Sequence, residues 1–452
     1  MTQKIVIIGG DAAGMSAASK AKRVRPELDV IVFEKGPHIS YAACGIPYYV
    51  SGVVEDWKNL VIFTPEQALQ KRNIKVHIFH EVLSIDSEKR QLTVRKIETN
   101  EIFTESYDKC IIAVGARPRV PQIPGMDLSG VFMLRSIQDG IDIKTFIEVN
   151  QPKSVVVVGG GYIGLEMVEA FRRLNLDVTV IEQLDRVLVS VDAEIATIVE
   201  EELHKNDVKI YLRSTITGIK RDKDGSLALD VAGGPGKINA DMVLVSIGVQ
   251  ANTELAKTAG VRLGKRGGIR INEKMETTVN NIYAAGDCAE YKHIVSGRNT
   301  YIPLAPAANK GGRIAGENAA GGNAVFPGIL GTSITKIFDL EVARTGLSYR
   351  DLSETVYSKV KQVSITEKNR ARYYPDAQEL TIRLIAEQRT NRLLGAQIIG
   401  GLGTGKKIDL FALAIMKNMT LDDLQNLDLA YAPPFSPVYD PILLAANVGL
   451  KS

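Results

Sequence analysis

The chain has 452 residues and a net charge of +3 at neutral pH, with 45% hydrophobic and 24% charged residues. A chain of this length is too long to fold around a single hydrophobic core, and the length predicts about three domains. The nearly balanced charge gives no reason to expect nucleic-acid or membrane binding, and no apolar run approaches the ~20 residues that span a bilayer. Three cysteines argue against a disulfide framework. Because no signal-peptide pattern precedes the first strand-like segment, we expect a cytoplasmic protein.

The first forty residues have the layout of a dinucleotide-binding unit. An apolar strand, Ile5–Ile8, leads into the turn Gly9–Gly14, a helix and a second strand that ends in Glu34. Glycines let the backbone approach a pyrophosphate at the helix N-terminus, and an acid at the strand end accepts hydrogen bonds from a ribose diol. The middle glycine of the G-x-G-x-x-G motif is Asp11 here, so either the frame shifts locally or the turn is a variant.

The same arrangement returns 150 residues later. The strand Ser154–Val158 leads into Gly159–Gly164 with all three motif glycines, and the next strand ends in Glu182. One such motif is weak evidence, but two in matched strand–helix–strand–acid contexts strongly indicate two bound dinucleotides. The natural pair is a flavin and a nicotinamide.

A lone cysteine follows the first unit. Cys44 lies in the segment Ser40–Ser51, far in sequence from Cys110 and Cys288. If Cys44 is redox active, it must cycle as a single thiol, to sulfenic acid or to a mixed disulfide with a small thiol. Cys110 lies in an apolar strand and Cys288 follows a turn, so both are interpreted as structural.

The remaining patterns complete a chain of alternating strands and helices. Thr64–Gln67 has the pattern of a capped helix start, and Gly286-Asp287 at a strand end suits a polyol such as the flavin ribityl chain. A run of small residues after Gly311 predicts a close-packed helix and a domain boundary near 325. The other predicted elements are strands at Lys75–Phe79, Gln91–Ile97, Met242–Gly248, Glu379–Glu387 and Leu393–Ile399, and helices at Lys407–Asn418 and Leu421–Asn426.

In this order, the pieces resemble the pyridine nucleotide-disulfide oxidoreductases over the whole chain. The resemblance implies an α/β fold with two Rossmann-like, glutathione-reductase-like dinucleotide-binding domains and an α+β C-terminal dimerisation domain. FAD would be bound by residues 1–117 and 244–324, NAD(P)H by residues 118–243, and a homodimer would form through residues 325–452.

The thiol segment is similar to the single-cysteine branch of that family, and within it to the coenzyme A-disulfide reductases. Glutathione and lipoamide enzymes carry a second cysteine where this chain has Tyr49. NADH oxidases and peroxidases usually have a histidine where this chain has Ala12. The reductases carry two tyrosines that reach the thiol of the partner subunit, and their counterparts here are Tyr373 and Tyr431.

The resemblance assigns further residues, with Cys44, Tyr373 and Tyr431 as the catalytic ones. The cofactor contacts that it implies are Gly9, Ala13, Gly14, Glu34, Lys35, Ala113, Gly115, Gly159, Gly161, Tyr162, Ile163, Gly164, Glu166, Glu182, Gly248, Gly286 and Asp287. Coenzyme A, as substrate or as a covalent mixed disulfide, would contact Lys20, Arg23, Ser40, Arg72, Asn309 and Lys310. No metal is expected.

The function expected from these residues is flavin-dependent reduction of coenzyme A disulfide, persulfide or polysulfide by NAD(P)H through a Cys44–S–S–CoA mixed disulfide. Glu182 favours NADH, although Arg186 lies close in sequence. A low pKa is expected for Cys44. The alternatives are reduction of elemental sulfur or polysulfide with coenzyme A as carrier, an NADH oxidase with a cysteine sulfenate, and a NAD-bound redox sensor or electron-transfer partner.

Overall fold

The structure, a computed structural model, describes residues 3–452. Its strands are β1 (Lys4–Ile8), β2 (Asp29–Phe33), β3 (Lys75–His77), β4 (His80–Asp86), β5 (Gln91–Lys96), β6 (Ile102–Ser106), β7 (Lys109–Ile112), β8 (Ala116–Pro118), β9 (Val131–Phe132), β10 (Ser154–Val158), β11 (Asp177–Ile181), β12 (Lys209–Tyr211), β13 (Thr215–Arg221), β14 (Leu227–Ala232), β15 (Gly236–Ala240), β16 (Met242–Val245), β17 (Val249–Ala251), β18 (Ile269–Arg270), β19 (Ile282–Ala284), β20 (Ala289–Lys292), β21 (Asn299–Thr300), β22 (Ser333–Ile337), β23 (Leu340–Gly346), β24 (Val360–Lys368), β25 (Glu379–Glu387) and β26 (Leu393–Gly400). Its α-helices are α1 (Ala12–Val24), α2 (Ile46–Val50), α3 (Pro65–Arg72), α4 (Ile137–Asn150), α5 (Tyr162–Arg173), α6 (Ala193–Lys205), α7 (Glu254–Thr258), α8 (Ala305–Ala319), α9 (Ile408–Met416), α10 (Leu421–Gln425) and α11 (Pro441–Lys451).

The first dinucleotide-binding unit is built on a parallel sheet of strand order β19-β7-β1-β2-β3. Its central strands are buried apolar runs, typical of a parallel sheet covered by helices. Helices α1 and α8 pack against each other on this sheet. A Cβ at Gly312 or Gly316 would overlap the backbone of α1, so α8 is the close-packed helix that its small residues predict.

The second unit repeats the plan, with a parallel sheet of strand order β12-β11-β10-β16-β9. Each unit also carries a three-stranded antiparallel sheet, β4-β5-β6 in the first and β13-β14-β15 in the second. The two predicted Rossmann-like units are therefore confirmed. The boundaries at 117, 243 and 324 stay predictions, and β16 runs across position 243.

The C-terminal part is an antiparallel sheet of strand order β22-β23-β26-β25-β24 with helices α9 to α11, which confirms the α+β prediction. The sequence patterns missed β22 to β24 and helix α11. They also extended three strands too far. The positive φ of Phe79, 55°, ends β3 at His77 and turns the chain into β4, and the strands predicted to Ile97 and Gly248 end at Lys96 and Val245.

The thiol segment lies where the two nucleotide-binding units meet. Helix α2 contributes Ile46 and Val50 to the core of the second unit, and a Cβ at Gly140 of α4 would collide with Ile46. Towards the first unit, the Tyr41 backbone N–H donates to Asp11 Oδ1 at 3.3 Å. Cys44 is therefore held between both units. Across residues 3–452, no helix is both long enough and apolar enough to cross a bilayer.

Candidate active site

The first glycine turn brings the N-terminus of α1 up to the end of β1. A Cβ at Gly14 would overlap the carbonyl oxygen of Gly9, so glycine is required where helix and strand touch. The free N–H groups at such a helix end favour a phosphate.

Asp11 occupies the middle position of the glycine motif without a shift of frame. Its φ is −92°, and Gly161 at the same place in the second unit has a φ of −84°. Any residue adopts these values, and a Cβ at Gly161 would meet no atom within 4 Å. The first turn is therefore a variant that accommodates a side chain. Burial raises the pKa of Asp11 to about 6, although the charge of Arg135 opposes the rise.

The two strand-end acids are held in the same way. Glu34 accepts backbone hydrogen bonds from Gly10 (2.8 Å) and Gly36 (2.7 Å). In the second unit, Glu182 accepts from Gly160 (2.7 Å) and Leu184 (2.9 Å). Each carboxylate oxygen keeps a second lone pair for a ribose hydroxyl. The repeat therefore extends from the fold to the hydrogen bonds that a ribose site needs.

A cavity of about 680 Å³ follows the first turn. This volume lies in the range of cofactor sites. The predicted FAD contacts that line it are Gly9, Ala13, Glu34, Lys35, Ala113, Gly115, Gly286 and Asp287. An acid at one end, a helix N-terminus in the middle and Asp287 at the other end match the ribose, pyrophosphate and ribityl parts of FAD. The residues present therefore fit this cofactor.

The Asp287 end of the cavity contains a cation that no sequence motif signals. Burial raises the pKa of Asp287, and Arg135, whose Nη2 lies 3.8 Å from Asp287 Oδ2, opposes the rise. The Nε of Arg135 donates to the Ala116 carbonyl at 3.0 Å. The capping box of Ser136 and Asp139 at the start of α4 is readable in the sequence and places Arg135 just before that helix.

Cys44 lies beside this end of the cavity in a short 3-10 turn and is accessible to solvent. The pKa of the Cys44 thiol is nevertheless raised. The largest cause is the partial burial of the sulfur, and the carboxylates of Glu166 and Asp287 add to it. Arg135 acts in the opposite direction but does not compensate. The expected low pKa is therefore wrong for this environment, because burial disfavours the thiolate and the negative groups around the sulfur add to that effect.

The second turn places Gly159, Gly161, Ile163 and Gly164 at the start of α5, as in the first unit. Gly248 follows β16 with a φ of 99°. Two further candidates on α5 contact the C-terminal domain: the Tyr162 hydroxyl lies 2.8 Å from Ser333 Oγ, and Glu166 Oε1 accepts from Thr335 Oγ1 at 3.1 Å. Sequence reasoning missed both partners.

The structure gathers several of the coenzyme A candidates around α1. Arg72 donates to the Ser19 hydroxyl, and its guanidinium lies 4.8 Å from the Phe63 ring centroid. Arg23 Nε donates to the Ser19 carbonyl at 3.2 Å. Lys20 pairs with Glu317 at 2.8 Å, which partly neutralises it.

The other coenzyme A candidates lie on α8 and beside the thiol. Asn309 Oδ1 accepts from the Ser16 hydroxyl at 2.7 Å, and Lys310 is exposed on the second turn of α8. Ser40 has a φ of 47° and its N–H donates to the Gly10 carbonyl at 3.0 Å, so it joins the thiol segment to the first glycine turn.

The two candidate tyrosines lie together on the C-terminal domain. The Ala371 N–H donates to the Pro433 carbonyl at 3.2 Å, which joins the two segments, and the nearby Tyr431 hydroxyl raises the pKa of Tyr373. The two residues are 77% and 48% exposed, so their side chains are accessible to groups outside their own chain.

The comparisons with known proteins agree with this geometry. Residues 3–312 match the family profile described as pyridine nucleotide-disulphide oxidoreductase, and residues 332–441 match the dimerisation domain of that family. The chain belongs to the pyridine nucleotide-disulphide oxidoreductases. As a member, it is an oxidoreductase that uses FAD and NAD(P)H.

Relatives within this family carry more specific names. The chain is 43% identical to the NAD(P)H sulfur oxidoreductase (CoA-dependent) of Pyrococcus abyssi, over 98% of this chain and 97% of the relative. It is 37% identical to an NADH oxidase of Methanocaldococcus jannaschii (99% of each) and 34% identical to a coenzyme A disulfide reductase of Staphylococcus aureus (97% and 98%). The solved structure of reduced CoADR-RHD from Bacillus anthracis superposes with a TM-score of 0.96 at 37% identity, covering 100% of this chain and 80% of that one.

Proposed function

We propose that the chain reduces coenzyme A disulfide, or a coenzyme A persulfide or polysulfide, with NAD(P)H through the single sulfur of Cys44. The observation that carries this proposal is the isolation of that sulfur. Cys110 and Cys288 are 0% exposed, and Cys288 Sγ donates to the carbonyl of Ala285 at 3.3 Å. A dithiol mechanism has no second accessible cysteine, so the partner sulfur must come from the substrate.

The chemistry proceeds by thiol–disulfide exchange. The Cys44 thiolate attacks one sulfur of the disulfide, so that a Cys44–S–S–CoA bond forms and one coenzyme A thiolate leaves. When bound, FAD supplies the two-electron transfer from NAD(P)H. Two electrons then cleave the mixed disulfide, which releases the second coenzyme A thiolate and restores the Cys44 thiolate. Each turnover oxidises one NAD(P)H and, with two protons taken up by the thiolates, yields two thiols.

Residues of this chain hold the reactants in place. The backbone N–H groups of the two glycine turns would bind pyrophosphates, and Glu34 and Glu182 would accept ribose hydroxyls. NADH is favoured, because no Lys or Arg side chain within residues 3–452 forms a salt bridge with Glu182. The Nη1 of the nearby Arg186 instead pairs with Asp185 at 3.1 Å. Arg72 and Arg23, with Lys20, Ser40, Asn309 and Lys310, would bind the phosphorylated end of coenzyme A.

The tyrosine pair would act across a homodimer. We propose that Tyr431 and Tyr373 reach the thiol of the partner subunit, where one hydroxyl protonates the leaving thiolate and the other orients it. The high exposure of both tyrosines and the match to the dimerisation domain support this arrangement.

Replacing both tyrosines by phenylalanine should slow disulfide turnover about 100-fold, because the leaving thiolate loses its proton donor. Flavin reduction by NADH, followed at the flavin absorbance band under anaerobic conditions, should stay unchanged. Tyr349→Phe is the matched control, since Tyr349 is an exposed tyrosine (56%) of the same domain. A double variant with wild-type turnover would remove the tyrosines from the mechanism.

The assay that tests the function compares acceptors under anaerobic and aerobic conditions. With NADH and coenzyme A disulfide, two coenzyme A thiols should appear for each NADH oxidised, and oxygen should not be needed. Intact mass of the untreated protein should show an adduct of coenzyme A size on Cys44. Oxygen uptake at the rate of NADH oxidation, without thiol release, would instead identify an oxidase.

A second candidate substrate is favoured by one observation. The relative at 43% identity is named for sulfur reduction that depends on coenzyme A. On polysulfide, the same Cys44 chemistry would release sulfide, and the rate should depend on added coenzyme A. A faster rate with polysulfide plus coenzyme A than with coenzyme A disulfide would identify sulfur as the preferred acceptor.

A further inference from the structure

One face of α5 is hydrogen-bonded to one face of β22. Tyr162 and Glu166, four residues apart, share a side of the helix. Ser333 and Thr335, two residues apart, share a side of the strand. The pairs Tyr162–Ser333 (2.8 Å) and Glu166–Thr335 (3.1 Å) join these sides, so the second nucleotide-binding unit docks on the C-terminal domain directly beside the thiol.

A third group of contacts lies next to these two. Lys336 Nζ pairs with Glu169 Oε1 at 2.5 Å, and the Phe338 N–H donates to Glu169 Oε2 at 2.9 Å. Glu169 therefore has a full set of partners, a cation among them. Glu166 has a neutral donor instead, the hydroxyl of Thr335, whose residue is 4% exposed.

Glu166 and Cys44 are electrostatically coupled. Burial raises the pKa of Glu166, the Thr335 hydrogen bond opposes the rise, and the charge of Glu169 adds to it. Among the neighbouring charges that raise the pKa of Cys44, Glu166 has the largest effect. A change in the protonation of Glu166 therefore changes the pKa of the Cys44 thiol.

The other titratable groups around this pair come from four segments. Tyr48 of the thiol segment also faces Glu166. Asp11, Arg135 and Asp287 face Cys44 from the first glycine turn, the start of α4 and the end of β19. None of these groups is bonded to Thr335, so a change at Thr335 acts on Glu166 alone.

We infer that Thr335 is a positioning residue whose hydroxyl, from the C-terminal domain, holds the Glu166 carboxylate oriented and ionised beside Cys44. The inference rests on the proposed function only in that Cys44 is the reacting sulfur. A hydrogen bond donated to a carboxylate stabilises its charged form. Loss of the Thr335 donor therefore lets Glu166 keep its proton to higher pH.

The test measures alkylation of Cys44 in the holoenzyme, without substrate. The protein is reduced with dithiothreitol, freed of small thiols, and reacted with iodoacetamide from pH 5 to pH 9, with the adduct followed by intact mass. Cys44→Ser gives the background from the two buried cysteines. Because a thiolate forms less readily beside a carboxylate, the plot of log rate against pH has a step at the pH where Glu166 ionises.

Thr335→Val should move this step about one pH unit higher, since it loses the hydrogen bond to the carboxylate but keeps the side-chain volume. Thr335→Ala lacks the same donor and should also move the step to higher pH. It replaces Thr335→Val in the test if the valine variant folds poorly. Thr335→Ser restores the donor and should return the step to its wild-type pH. Glu166→Gln should remove the step that moves with Thr335, whereas Asp11, which has a pKa of about 6 and also faces Cys44, should keep its own step in every variant.

Three outcomes would overturn the inference: a profile identical to the wild type in both donor-less variants, an equal shift in Thr335→Ser, or a wild-type profile in Glu166→Gln. None of these readings depends on coenzyme A turnover. A protein with the predicted step but no reduction of coenzyme A disulfide would refute the proposed function and leave the role of Thr335 standing.

Discussion

Replacing Cys44 by serine should lower NADH-dependent reduction of coenzyme A disulfide at least ~1,000-fold, because no other accessible sulfur can form the mixed disulfide. Cys110 and Cys288 are both fully buried. Flavin reduction by NADH should persist, since the glycine turns and strand-end acids do not involve the thiol. Thiol release and anaerobic bleaching of the flavin, measured on one preparation, separate the two steps.

Cys110→Ala is the matched control for this substitution. Cys110 lies in β7 with its side chain fully buried in the core of the first unit, so its loss changes packing and leaves the accessible sulfur intact. Its disulfide turnover should stay near that of the wild type. Undiminished thiol release by Cys44→Ser would show that electrons leave the flavin by another route, and the single-sulfur mechanism would be discarded.

The nucleotide-binding units were predictable because their constraints are local. Buried parallel strands need unbroken apolar runs, and a helix that touches a strand end needs glycine at that contact, as Gly14 and Gly164 show. The strand-end acids follow at a fixed distance along the chain. For these reasons eight of the predicted cofactor contacts lie in the lining of the FAD-sized cavity.

The surroundings of the thiol were not predictable in the same way. Arg135, Glu166 and Asp287 reach Cys44 from separate segments, and the sign of their combined effect depends on three-dimensional distances. The Glu166–Thr335 hydrogen bond joins residues 169 positions apart. No local pattern encodes such a contact, which is why Thr335 was missed. The pKa of Cys44 was predicted with the wrong sign because the burial of its sulfur, the largest cause of the rise, is also set by the tertiary structure.

Gly164→Ala should destabilise the second nucleotide-binding unit by about 3 kcal/mol, because its Cβ would overlap the carbonyl oxygen of Gly159 and press on Ser246 Oγ. Gly159 directly follows the buried strand β10, so its carbonyl oxygen cannot yield cheaply. The expected result is a thermal midpoint roughly 5–10 °C lower and weakened NADH binding, with FAD retained by the first unit.

Gly161→Ala, three residues earlier in the same turn, is the control that separates a steric clash from the loss of a glycine as such. Its Cβ would meet no atom within 4 Å, and its φ of −84° suits alanine, so the thermal midpoint should stay within about 1 °C of the wild type. Asp11 at the equivalent place in the first unit shows that such a turn tolerates a side chain. If both variants lost stability equally, the glycines would serve backbone flexibility, and the argument from close helix–strand contact would be wrong.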